Sequence, residues 1–116
     1  MLLNDVKNKL EEIDQNVYYG MMVKDPADVP VWDYIVFNRV KLRQGQDKNS
    51  LGDLFEVHIV RESFIPEELD TEVITKMREI PGVRPASDDG TYLYTKKPNT
   101  ETVVEMLTLT FVRARK

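Results

Sequence analysis

Between Tyr18 and Phe37 the chain crowds Tyr18, Tyr19, Met21, Met22, Val23, Val29, Val31, Trp32, Tyr34, Ile35, Val36 and Phe37 into one short region. A strand with one face in water needs an apolar residue only at every second position. Here both phases of the alternation are apolar or aromatic. A sheet built from this region therefore has to cover its second face as well, with this chain or with another copy of it. Aromatic residues and methionine are also the types enriched at protein interfaces. Tyr18, Tyr19, Met21, Met22 and Trp32 are accordingly the candidate oligomer interface, with the core as the competing place for each of them.

The rest of the chain supplies the elements that such a sheet needs. Leu3, Val6, Leu10 and Ile13 recur at spacings of three, four and three, which predicts an amphipathic helix over residues 3–14. Val17–Val23 is expected as a strand interrupted by Gly20, and the two prolines of residues 24–30 mark a loop. A second strand is expected over Asp33–Leu42, with Tyr34, Val36, Asn38, Val40 and Leu42 on one face and Ile35, Phe37, Arg39 and Lys41 on the other. Arg43–Asp53 is polar, without periodicity, and reads as a long hairpin loop that orders on a neighbouring protein. Leu54–Glu62 follows as a strand with Phe55, Val57 and Ile59 on its apolar face.

Ile65-Pro66 opens a second helix over residues 66–80, with Glu67, Glu68 and Asp70 at its positive end, and Pro81-Gly82 stops it. Its stripe is Leu69, Val73, Met77 and Ile80. A short edge strand at Val83–Ala86, a strand at Thr91–Lys96 and a long one at Thr102–Val112 complete the chain. Hairpins dominate this order. The expected fold is therefore α+β: a mainly antiparallel sheet of about five strands with both helices packed on one face, in a single domain. The expected core includes Leu10, Ile13, Phe37, Val57, Ile59, Val73, Met77, Leu107 and Leu109.

Composition narrows the function. The chain has 116 residues, no cysteine, one histidine and a net charge of −4. The absence of cysteine excludes a disulfide scaffold, a thiolate zinc site and a cysteine nucleophile. The acidic balance gives no support to a module that reads nucleic-acid sequence. No apolar run is long enough to cross a membrane, and no signal peptide is expected, because Met1-Leu2-Leu3-Asn4-Asp5 lacks a basic region followed by a long apolar run.

His58 is the lone histidine, on the less apolar face of its strand, and neither Glu56 nor Arg61 completes a catalytic pattern with it. The five glycines form no phosphate cradle. Asp47, Asn49 and Asp53 lack the spacing of a calcium loop. No enzyme, metal or cofactor is expected. Arg39, Lys41 and Arg43 alternate into the polar loop. Together with Gln44, Gln46 and Lys48 they form a candidate surface for a partner or for a lumen through which DNA passes.

Tyr18-Tyr19-Gly20, Asp25-Pro26 and Trp32-Asp33-Tyr34-Ile35-Val36-Phe37 resemble segments of small neck and tail proteins of tailed bacteriophages and prophages. So do Glu56-Val57-His58-Ile59-Val60-Arg61-Glu62, Ile65-Pro66, Ile80-Pro81-Gly82 and Thr102-Val103-Val104-Glu105-Met106-Leu107. The resemblance spans almost the whole chain and is to the tail terminator, or tail-completion, group. It implies a small α+β domain that assembles into a homo-oligomeric ring, commonly a hexamer. Such a ring caps the tail tube, stops its polymerisation and joins it to the head, with no cofactor. The implied partners are the tail tube protein and the head-completion or connector proteins. The implied place is the virion neck or tail, after assembly in the host bacterial cytoplasm. Another neck protein, such as a head-closure subunit, and a small non-enzymatic ligand- or protein-binding module are the alternatives.

Overall fold

The computed structural model describes residues 2–21, 31–44, 51–86 and 89–115. The elements are α1 (Leu2–Glu11), β1 (Val17–Tyr19), β2 (Tyr34–Gln44), β3 (Leu51–Glu62), α2 (Glu67–Arg78), β4 (Val83–Pro85), β5 (Thr91–Lys96) and β6 (Val103–Arg115). The strands form one six-stranded sheet in the order β1-β2-β3-β6-β4, with β5 also paired to β6. All pairings are antiparallel except β1 with β2.

The core follows from the pleat. Three rows cross the central strands: Ile35, Ile59 and Leu107; Phe37, Val57 and Leu109; Arg39, Phe55 and Phe111. Their apolar members project to the face that carries both helices. They merge with Val6 and Leu10 of α1 and with Val73 and Met77 of α2 into one cluster. Phe55 and Phe111 stack with ring centroids 5.5 Å apart and both are about 1% exposed. Every expected core residue lies in or against this cluster, Ile13 as a partly buried member at its margin. Both helices thus sit on one face of an α+β sheet. They are tied to each other by Lys9 Nζ to Glu79 Oε1 at 2.8 Å and Lys76 Nζ to Glu12 Oε1 at 3.0 Å. The segment after α1 is tied to the sheet by Arg61, whose guanidinium meets Asp14 Oδ2 at 2.6 Å.

Four expectations need correction. β1 spans three residues and runs parallel to β2, not as one arm of a hairpin. Parallel neighbours need a connection of a dozen residues or more, and the length from residue 20 to residue 33 allows one. Gly20 ends the strand with φ +83° while its N–H still bonds Phe37 O, a conformation open to glycine at no steric cost. Secondly, the polar loop is shorter than Arg43–Asp53, because β2 continues to Gln44 and β3 starts at Leu51. Asp53, read as loop, is a buried strand residue.

Thirdly, the backbone of β2 does not keep one unbroken pairing register from Arg39 to Arg43. The register slips between Arg39, opposite Phe55, and Lys41, opposite Leu54, leaving Val40 as a bulge. One extra residue reverses the pleat phase for everything beyond it. Finally, Pro66 is the N-cap of α2 (φ −58°, ψ 139°) rather than its first residue.

Phe111→Ala is expected to lower the unfolding free energy by about 3–5 kcal/mol. Phe64→Ala, at a residue 69% exposed, should change it by less than about 0.5 kcal/mol. Urea denaturation of the two variants measures both.

Candidate functional site

Three surfaces stand out, and two of them hold residues that composition and spacing single out. The first is the β1 edge. Tyr19 and Met21 are 49% and 67% exposed and leave apolar surface uncovered at this edge of the sheet. Arg39 joins them, with its Nε donating to the Tyr19 hydroxyl at 3.2 Å, and the Tyr19 ring leans on Phe37 at 5.2 Å. Tyr18 and Trp32 behave differently. Both pack against Tyr34, Val36, Val60 and Val104, a small apolar cluster on the sheet face opposite the helices.

Trp32 is held there from several sides. Its backbone N–H bonds the Glu62 carboxylate, and Lys97 Nζ lies 5.9 Å from its ring centroid while pairing with Glu62 Oε1 at 2.6 Å. The hydrogen bond from Lys97 is the main reason the Glu62 carboxyl sits below the ordinary carboxylate range. Of the five interface candidates, then, the structure leaves Tyr19 and Met21 outward and folds Tyr18 and Trp32 into the second face. Met22 lies outside the described residues. So do Gln46 and Lys48 of the polar loop; Lys41, Arg43 and Gln44 are placed by the β2 backbone.

The second surface is a polar row on the same far face. His58 Nε2 lies 2.8 Å from Asn38 Oδ1, and His58 Nδ1 lies 2.9 Å from Thr108 Oγ1. An amide oxygen only accepts, so Nε2 carries the proton and Nδ1 accepts from the threonine hydroxyl. Both ring nitrogens are thereby satisfied in the neutral imidazole. Burial holds the His58 pKa below its ordinary value, and the Glu56 carboxylate, 3.5 Å away, opposes this in part. The row has no nucleophile beyond the threonine hydroxyl. Among the described residues no group of three histidine, aspartate or glutamate side chains is placed to hold a metal ion.

The third surface escaped the sequence reading. A cleft of about 470 Å³ lies between α2 and the outer strands, with Asp70 and Arg78 on one wall and Arg84, Asp89 and Tyr92 on the other. It exists because the outer edge is broken. Ala86 bonds Thr110 and Thr91 lies opposite Thr108, so β6 advances past Leu109 alone while the edge spends residues 87–90. Gly90 brings the chain back against the sheet. A Cβ there would fall 2.9 Å from Leu107 and 3.0 Å from Leu109. Beyond the break, all six residues of β5 are exposed. Only the Asp-Asp-Gly signal at residues 88–90 pointed to the break, and it gave no sign of a cavity.

Compared with known proteins, the chain matches no protein-family model and no curated protein.

The His58 geometry predicts a pH dependence. The folded pKa is below the ordinary 6.5, so the unfolded chain takes up a proton that the folded chain resists. The stability this confers is complete above 6.5 and is lost as pH falls through the depressed folded value. His58→Gln should remove that part of the decline. Urea midpoints measured from neutral pH down to the onset of carboxylate titration will show it as a flatter profile.

Proposed function

We propose that the protein is a structural assembly subunit of the tail-terminator kind. In this reading identical copies form a ring that caps a bacteriophage tail tube and joins it to the head. The observation that carries the proposal is the uncovered apolar surface at the β1 edge, where Tyr19, bonded to Arg39, and Met21 just beyond it face solvent. Fully burying one large apolar side chain contributes about 1.5–3 kcal/mol, so a few such residues per interface hold a ring together. A head-to-tail contact that closes on itself generates a ring from one repeated interface. The resemblance of the residue pattern to phage neck proteins supports this identity for the assembly, and the His58 row, with both ring nitrogens bonded, is consistent with a structural role. In this role the partners are further copies of the chain, the tube protein and a head-completion protein. The site of action is the virion neck, reached by assembly in the bacterial cytoplasm. Arg39 then lies where it meets a neighbour or passing DNA.

The cleft beside α2 favours one second reading, a small binding module without catalysis. Its apolar floor of Leu107, Leu109 and Phe111 and its ring of Asp70, Arg78, Arg84 and Asp89 have the makeup of a small-ligand site.

Native mass spectrometry, on the protein alone and with tube protein added, separates the two. The ring reading expects a multi-subunit species in at least the second case. Met21→Asp should abolish the ring, leaving nothing larger than a dimer, while the circular dichroism spectrum stays unchanged, since Met21 is 67% exposed. No ring under either condition would sink the proposal.

A further inference from the structure

The outer edge of the sheet carries a feature that the ring does not use. β5 reads Thr91-Tyr92-Leu93-Tyr94-Thr95-Lys96, and its first five residues are the same in either direction. Tyr92, Leu93 and Tyr94 are 48%, 57% and 64% exposed, and among the described residues β5 pairs on one side only, with β6. Natural edge strands are usually blunted by proline, by charge or by a cover, because an open row of N–H and C=O groups recruits another strand. β5 contains no proline, and its one charge is at its end.

We propose that β5 is a twofold docking strand, paired antiparallel with β5 of a second copy about an axis through Leu93. The pairing places Leu93 opposite Leu93, Tyr92 opposite Tyr94 and Thr91 opposite Thr95. A twofold interface requires a self-complementary surface, and a palindromic strand meets that requirement at every position. Aromatic pairs and threonine pairs directly opposite each other are among the favourable cross-strand combinations. Lys96 falls opposite Gly90, so no like charges meet.

The backbone has the right parity. Lys97 N–H bonds Thr102 O at 2.9 Å. Lys96 is registered with Val103, so Lys97 with Thr102 is a hydrogen-bonded pair. Val103 O accepts from Ser63 of the β3 side at 2.7 Å, in agreement. Hydrogen-bonded and non-hydrogen-bonded pairs alternate along an antiparallel ladder. Thr91, Leu93 and Thr95 therefore bond inward to β6, and Tyr92, Tyr94 and Lys96 turn their N–H and C=O groups outward. In the twofold register Tyr92 meets Tyr94, which are the residues with free outward groups, so each tyrosine pair forms two backbone hydrogen bonds. A register shifted by one residue would lose this match.

The side chains divide between the faces. Tyr92 and Tyr94, opposite Leu107 and Glu105, lie on the helix face; Leu93, opposite Met106, lies on the other. Tyr94 is already fixed, because its hydroxyl donates to the Glu105 carboxylate, which in turn accepts Ile65 N–H at 2.7 Å. The contact is on the opposite edge from β1, so both contacts are open to the same molecule, and loss of one leaves the other measurable.

The chain has no cysteine, so a single introduced thiol reports the register. Leu93→Cys should form a disulfide-linked dimer rapidly under mild oxidation, since directly opposed non-hydrogen-bonded residues bring their Cβ atoms within bonding reach. Thr95→Cys should not, because its twin lies four residues along the partner strand, roughly 13 Å away. Leu93→Asp should raise the dissociation constant of the pair at least about tenfold, moving the mass in light scattering from twice 13.5 kDa toward 13.5 kDa. Met21→Asp should leave Leu93→Cys cross-linking intact. Equal cross-linking of the Leu93 and Thr95 thiols, or a particle mass that Leu93→Asp leaves unchanged, would overturn the proposal.

Discussion

β3 is the strand on which the rest of the molecule depends. It is paired along nearly its whole length on both sides, from Leu51 to Glu62 against β6 and from Leu51 to Val60 against β2. Its pleat phase therefore sets the phase of its neighbours. Phe55, Val57 and Ile59 point to one side and are fully buried. Ile35, Phe37, Leu107, Leu109 and Phe111 must follow them, and the helices settle where that apolar surface is. The helices are short amphipathic elements, of ten and twelve residues, and helices of that length are marginal in isolation. Their presence here is a consequence of the strand face they cover.

A sheet organised from its centre leaves its problem at the margins. At one margin β1 covers only Ile35, Val36 and Phe37 of β2. At the other, β4 and β5 share the length of β6 and leave a gap at Leu109. Exposed apolar residues lie at both margins: Tyr19 and Met21 on one side, Tyr92, Leu93 and Tyr94 on the other. A monomer seldom keeps uncovered apolar edges of this kind. The two interfaces proposed above, one heterologous and one twofold, would cover both with the same physics.

Sequence periodicity made the centre of this structure legible and failed at the margins. The alternation in β3 and β6 and the stripes of both helices give the core, because burial imposes a period wherever a face is covered. β5 was legible as a strand from its composition alone. The parallel β1 was not legible, since three residues carry no alternation and a crossover looks the same as a loop between hairpin arms. The Val40 bulge was equally hidden. Val40 is apolar and fits an unbroken alternation, and only pairing with Phe55 and Leu54 shows the slip. The aromatic crowding between Tyr18 and Phe37 was read as one surface. The structure divides it, because Trp32 is drawn onto the sheet by Glu62 and Lys97 while Met21, beyond Gly20, is released from it.

The far face explains why so long a hairpin keeps one register. Half of that face is apolar, around Tyr34, Val36 and Val60, and half is polar, along Asn38, Glu56, His58 and Thr108. Slippage of β3 by one residue would turn His58 and Glu56 into the core beneath the helices and bring Val57 and Phe55 to the outside. The penalty is large because the imidazole would lose Asn38 and Thr108 together, and a buried polar group left without partners costs more than the bond itself is worth. The polar row thus acts as a register lock. It discriminates against misaligned pairings while contributing little to the stability of the correct one, and this role requires His58 to be neutral and satisfied rather than reactive.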